Sequence, residues 1–96
     1  MEDDPLTRTI EKLLEGSPGQ LTPIGAGVLA AAHLGLARDS RSFARKLGLA
    51  HALVIRECVS LAEDLALLVI DDRSCRSQRV FYALSERGEA LVTEAA

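Results

Sequence analysis

The chain has 96 residues, with 14 acidic and 11 basic side chains and a formal net charge of −3 at pH 7. This is the length of one domain, and no break in composition divides it into two. Apolar residues make up 48% of the chain and aromatic residues only 3%, which favours an aliphatic, mainly helical core. Two cysteines, Cys58 and Cys75, are too few for a disulfide scaffold or a cysteine-rich metal site.

No segment of the sequence indicates a membrane span or a secretory signal. The most apolar window, residues 24–37, is shorter than the roughly 20 residues that cross a bilayer, and it contains His33. The N-terminus reads MEDDP, which is acidic where a secretory signal would be basic. We therefore predict a cytoplasmic protein without a membrane partner.

The charges are segregated along the chain. Residues 21–49 carry four basic groups and one acidic group, and residues 73–82 carry three basic groups and no acidic one. Residues 50–72 between them carry one basic and five acidic groups. Because a polyanion responds to the local field of a basic patch, the acidic total does not exclude a nucleic-acid partner.

Two helices are predicted before residue 38. Residues 5–15 place one apolar stripe at helical spacing, formed by Leu6, Ile10, Leu13 and Leu14. This short helix must dock, either on the chain's own core or in a dimer interface, and both alternatives stay open. Thr22 and Pro23 then open a mostly buried helix whose apolar surface extends to Leu36 and includes a packed His33. Gly25 and Gly27 near its start require close packing of another chain segment.

Residues 39–68 form the central feature of the sequence. Asp39 or Ser40 caps a helix with the core positions Phe43, Ala44 and Leu47, and Gly48 ends it. The next helix turns Val54, Cys58, Leu61 and Leu65 to one face, while His51, Ala52, Ile55, Arg56 and Ser60 lie on the other. Two helices joined by a tight turn that contains glycine predict a helix-turn-helix, a unit that can enter a nucleic-acid groove.

A hairpin and a last helix follow. Residues 67–70 are apolar and end in the β-branched Val69 and Ile70, residues 73–79 form a polar turn with three arginines, and residues 80–84 return as a second strand. Ser85 caps the closing helix, which has acidic residues in its first turn. We predict an α+β domain over residues 1–96, with a helix at 5–15, a core at 22–84 and a C-terminal helix at 85–96.

The run SFARKLGLAHALVIRECVSLAEDLALLVI resembles the pattern Ser-x-x-Leu-Ala-x-x-Leu-Gly-Leu, then Val, Leu and a Leu-Val strand, of winged helix-turn-helix regulators. The run YALSERGEALV is similar to the strand-to-helix junction Leu-Thr-x-x-Gly-x-x-Leu of the MarR-type regulators. The resemblance covers residues 22–92, although residues 64–66 stand where relatives have glycine before the first strand. It implies a winged helix with three to four helices, a two-stranded wing and a C-terminal helix, in a homodimer on promoter DNA.

The candidate DNA-binding residues divide by role. Contacts to phosphates or the minor groove are expected from Arg38, Arg41, Arg45, Lys46, Arg73, Arg76 and Arg79, with hydrogen bonds from Ser40 and Ser42. Contacts to base edges are expected from His51, Ala52, Ile55 and Arg56. The single arginine in this second set predicts modest discrimination between sequences.

We expect a transcriptional regulator of double-stranded DNA, a repressor rather than an activator, that dimerises through residues 5–15 and the C-terminal helix. The alternative is a winged helix that binds a protein, favoured by the acidic balance and by the apolar Ile55 and Val59. A redox sensor at Cys75, between two arginines, is a third possibility. No pattern of nucleophile and base, metal ligands or phosphate-binding glycines occurs, so we predict neither an enzyme nor a cofactor.

Overall fold

The computed structural model describes residues 4–16, 19, 21–73 and 80–95. These residues form five helices and one antiparallel two-stranded sheet, which confirms the predicted α+β class. In chain order the elements are α1 (Pro5–Gly16), α2 (Pro23–His33), α3 (Ser40–Leu47), α4 (His51–Glu63), β1 (Leu68–Arg73), β2 (Val80–Leu84) and α5 (Glu86–Ala95).

The central helix of the core is α2. Thr22 caps it as predicted, since its hydroxyl accepts a hydrogen bond from the Gly25 amide at 2.9 Å. Every residue from Gly25 to Ala31 is buried. The close packing expected at Gly27 is present, because a Cβ atom there would stand 3.0 Å from the Phe43 ring. Small residues in α2 therefore let its neighbours approach.

The apolar surface of α2 is shorter than predicted. The helix ends at His33, and Gly35 turns the chain with a φ of +74°. As a result His33 is exposed, and Leu34 and Leu36 keep 37% and 42% of their surface accessible. The prediction that His33 is packed and that burial continues to Leu36 is wrong, because the turn carries these side chains away from the core.

The first helix docks on the chain's own core. Leu13 is 1% exposed, and α1 contacts both α2 and α5. Leu6, Ile10 and Leu14 are partly buried against the core. Of the two alternatives for this helix, packing within the chain is therefore what the structure shows. The exposed side of α1 is polar and consists of Thr7, Arg8, Glu11, Lys12 and Glu15.

The turn between α3 and α4 has the predicted ends. Asp39 caps α3 by accepting a hydrogen bond from the Ser42 amide, and Gly48 ends the helix in the left-handed region with a φ of +66°. Phe43 and Ala44 are buried, but Leu47 is 40% exposed, so its prediction as a core position is wrong. Leu47 is the last residue of α3, and the half-buried Leu49 just beyond the turn packs against the core instead.

The buried face of α4 consists of Val54, Cys58 and Leu61, as predicted from their spacing, with Leu65 half-buried beyond the end of the helix. A side-chain bond joins this helix to α2. The Thr22 hydroxyl donates to Glu57 Oε1 at 2.9 Å while it also accepts from Gly25. One threonine therefore caps α2 and also bonds to α4.

The hairpin packs beside the start of α3. β1 and β2 are antiparallel, with Leu68 opposite Leu84 and a bulge between Ile70 and Asp72. Phe81 in β2 forms a β-bridge with Asp39. The residues just before α3 therefore run alongside β2 as a short third strand position.

Candidate nucleic-acid interface

A basic surface surrounds α3. Arg38, Arg45 and Lys46 are exposed, and Arg41 is half-buried. Over residues 38–56 the chain carries five basic groups and one acidic group, a local charge of +4. That single acid is Asp39, which is 8% exposed and accepts a hydrogen bond from the Ser42 amide at 2.9 Å. The exposed charge of this segment is therefore entirely positive.

The first two turns of α4 carry the other residues predicted to contact DNA. Ala52 and Arg56 are exposed, whereas His51 and Ile55 are half-buried. Ile55 packs partly against the core, so only part of its side chain reaches solvent. Of the four residues predicted to contact base edges, Ala52 and Arg56 are therefore the most exposed to solvent, and His51 and Ile55 are only partly exposed.

Ser40 lies inside the protein and not on this surface. It has no exposed area, and its Oγ accepts a hydrogen bond from the Val80 amide at 2.9 Å. The same oxygen lies 2.8 Å from Nε2 of His51. The expectation that Ser40 contacts DNA therefore disagrees with the structure, because a buried hydroxyl in these bonds cannot reach a phosphate. Ser42, two residues further along α3, is half-buried.

The second half of α4 is acidic. Glu63 and Asp64 are exposed, and Asp64 accepts a hydrogen bond from the Ser60 hydroxyl at 3.1 Å. The potential along α4 therefore changes from positive near His51 to negative near Glu63. A polyanion would be attracted to the first half of the helix and repelled by the second.

Of the three arginines predicted for the wing, only Arg73 belongs to the residues that the structure describes. Arg73 is the last residue of β1. Arg76, Arg79 and Cys75 lie outside the described residues, so their predicted contacts and the redox alternative stay predictions. β1 carries Asp71 and Asp72 directly before these arginines, and Asp71 is exposed.

Cys58 is buried behind this surface. It has no exposed area, and burial, with a smaller contribution from Glu57, raises its pKa to about 12. Burial likewise raises the pKa of the Tyr82 phenol above its ordinary value. Both groups are therefore protonated at neutral pH, and Cys58 is not a reactive thiolate.

Two cavities lie away from the outer side of α4. One of about 230 Å³ is lined by Leu21, Leu65, Leu67, Arg87, Ala90, Leu91 and Glu94. Another of about 320 Å³ is lined by Ala32, Arg38, Asp71, Tyr82, Ala83, Leu84 and Glu89. Within the described ranges, no three His, Cys, Asp or Glu side chains come together as metal ligands. No described helix has both the length and the apolar character to cross a bilayer.

Comparison of the chain with protein-family models, with curated proteins and with solved structures finds no match. The use of the basic surface must therefore be inferred from its own geometry and charge.

Proposed function

We propose that this protein binds double-stranded DNA and regulates transcription, with α3 and α4 as a helix-turn-helix. The observation that carries the proposal is the basic surface of residues 38–56, where the one acid is buried as a helix cap. Surfaces of this kind bind phosphates, and they are attached here to a helix of 13 residues that can lie in a major groove.

The order of the elements supports a winged-helix assignment. α2, α3 and α4 precede a hairpin, and Asp39 pairs with Phe81 beside that hairpin. In such domains the second helix of the helix-turn-helix enters the major groove while the wing follows the DNA backbone. The α2 helix, buried from Gly25 to Ala31, serves as the support on which α3 and α4 pack.

The roles in the proposed complex follow from exposure and charge. Arg38, Arg45 and Lys46 contact phosphates, and Arg41 adds a fourth positive charge at the same surface. Arg56 reaches base edges, and the methyl group of Ala52 leaves room for the groove floor or contacts a thymine methyl. Three to four phosphate contacts per chain correspond to a log–log salt slope of about −3 to −4.

The proposed regulator acts as a repressor by occupying promoter DNA, and a homodimer would read two half-sites about 34 Å apart. The apolar side chains of α1 already pack against the chain's own core. A dimer through α1 would therefore bury a polar face, including Arg8, Glu11 and Lys12. We expect such a dimer to be weak in isolation, sensitive to salt, and strengthened by two adjacent half-sites.

Fluorescence anisotropy with labelled duplex DNA tests the proposal. The full chain is titrated onto random-sequence duplexes and onto fragments selected from genomic DNA, from about 50 to about 200 mM salt. The expected result is binding that weakens linearly on a log–log plot, with tighter binding to the selected fragments. Absence of binding to every duplex at the lowest salt would end the proposal.

The alternative is a protein-binding surface on the same helices. Leu47 and Leu53 expose about two fifths of their area, at 40% and 38%, next to the turn between α3 and α4. Leu47 and Leu53 are therefore the apolar side chains that a protein partner could contact, since Ile55 and Val59 are half-buried. If the protein has this function, replacing Leu47 and Leu53 by serine would abolish binding of the protein partner. The unmodified protein would not bind DNA.

A further inference from the structure

Ser40 lies where three elements meet. It is the first residue of α3, and it has no exposed area. Its Oγ lies 2.9 Å from the amide of Val80, the first residue of β2, and 2.8 Å from Nε2 of His51, the first residue of α4. One hydroxyl group therefore joins the starts of two helices and the start of a strand.

The direction of these hydrogen bonds follows from the donors available. A serine hydroxyl has one proton and two acceptor lone pairs, and a backbone amide can only donate. The Val80 amide therefore takes one lone pair of Oγ. The hydroxyl proton needs an acceptor, because a buried donor without one is unfavourable. Nε2 of His51 is the acceptor within reach in the described part of the chain.

Two further hydrogen bonds between β2 and the residues just before α3 end on main-chain oxygens. The Tyr82 amide donates to the Arg38 carbonyl at 3.1 Å, and the Tyr82 hydroxyl lies 3.5 Å from the Asp39 carbonyl. These contacts hold β2 against residues 38 and 39, but they do not reach α4. The Ser40 hydroxyl extends the connection to α4, and a single side-chain replacement removes it.

We propose that Ser40 is a positioning residue, which fixes the hairpin and the first turn of α4 in one relative placement and holds His51 as the neutral Nδ1–H tautomer. In that tautomer Nε2 accepts from Ser40, so whatever meets Nδ1 must itself accept a hydrogen bond. The consequence for DNA reading rests on the proposed function. The hydrogen-bonded connection itself does not depend on it.

NMR spectroscopy of the full chain without DNA tests the connection. A long-range proton–nitrogen spectrum of the imidazole rings should show His51 as the Nδ1–H tautomer at neutral pH, with the exposed His33 as an internal reference. Ser40→Ala should shift His51 towards the Nε2–H form and speed exchange of the Val80 amide by about tenfold or more. Ser42→Ala, two residues along the same helix, should change neither signal.

A wild-type His51 with a proton on Nε2 would overturn the inference, and this measurement needs no variant. An unchanged tautomer and unchanged Val80 exchange in a folded Ser40→Ala protein would overturn it equally. In a DNA titration, Ser40→Ala should weaken binding by about tenfold with an unchanged salt slope, because no charge is removed. Unchanged affinity would refute the role at the interface. If the wild-type protein binds no duplex, the proposed function fails, while the NMR result still decides the connection.

Discussion

Gly88 in α5 lies directly against the carbonyl oxygen of Leu67, so that a Cβ atom on Gly88 would overlap this oxygen. The same carbonyl accepts a hydrogen bond from the Ser85 amide at 3.1 Å, and the Gly88 amide donates to the Ser85 hydroxyl at 3.0 Å. The junction between the hairpin and α5 therefore depends on a residue without a side chain at position 88.

Gly88→Ala should lower the free energy of unfolding by about 3 kcal/mol or more, because the overlap is with backbone and α5 must shift. Urea denaturation followed by circular dichroism measures the change. Gly16→Ala is the matched control, since nothing lies within 4 Å of its Cβ position at the end of α1. That control should be neutral or stabilising by up to about 1 kcal/mol. Equal stabilities for the two variants would contradict the close approach.

Ala66 is the one described residue other than glycine with a positive φ, at +57°. It occupies the place before β1 where the sequence resemblance leads one to expect glycine, and its carbonyl accepts from the Ser85 hydroxyl at 2.6 Å. Ala66→Gly should raise the free energy of unfolding by about 0.5–1 kcal/mol, because relief of the left-handed strain exceeds the entropy lost by glycine. Thermal and urea denaturation measure it.

The control for this prediction is Ala90→Gly, at an exposed position inside α5. It should lower the free energy of unfolding by about 1 kcal/mol, since glycine is disfavoured in a helix interior. Destabilisation by both substitutions to a similar extent would show that Ala66 is not strained.

The elements of this fold could be predicted because their ends are marked locally. Thr22-Pro23 and Asp39 carry the chemistry of helix starts, and Gly48 that of a helix end, within a few residues of each boundary. The buried faces of α1 and α4 follow from spacing in the same way. The exposure of Leu47 could not be read from this pattern, because spacing alone does not show which apolar positions at a helix end are covered by other elements.

The burial of Ser40 could not be predicted from the sequence either. A serine between charged residues fits a surface contact, and its partners are far along the chain, at His51 and at Val80, the latter 40 residues away. Spacing and capping rules describe neighbours within about one turn, whereas this site is set by where the start of β2 meets the start of α3. Ser40 follows the cap residue Asp39 directly, and nothing in the neighbouring sequence indicates that it is buried.

The buried thiol of Cys58 should make stability depend on alkaline pH. Its pKa is raised from 9.0 to about 12, so the folded chain keeps the proton longer than the unfolded chain does. The contribution to stability is complete below pH 9 and is lost as the pH rises towards 12, at up to about 1.4 kcal/mol per pH unit. The raised pKa of Tyr82 acts in the same direction at higher pH.

Urea denaturation between neutral pH and pH 11 measures this dependence. Cys58→Ala should be less stable at neutral pH because it leaves a cavity, but its stability should fall less steeply above pH 9. Parallel pH profiles for the two proteins would show that the thiol does not contribute.

The basic surface should determine how DNA affinity depends on salt. Arg45→Ala removes one exposed positive charge from α3 and should make the log–log salt slope shallower by about one, with equal loss for all duplexes. Anisotropy titrations at several salt concentrations measure it. Arg8→Ala removes an exposed arginine from α1 and should leave the slope unchanged in a single chain bound to DNA. Equal effects of the two variants would mean that the charge acts without a defined surface.

Arg56 and Glu63 lie two turns apart on the exposed side of α4 and should affect DNA binding differently. Arg56→Ala should reduce the preference for a selected fragment over random duplex by about tenfold, because a base contact is lost. Glu63→Gln removes a negative charge that faces the same polyanion, so it should strengthen binding to both duplexes alike and leave the preference unchanged. Competition titrations with both duplexes separate the two effects. A preference that survives Arg56→Ala intact would place sequence reading elsewhere than on α4.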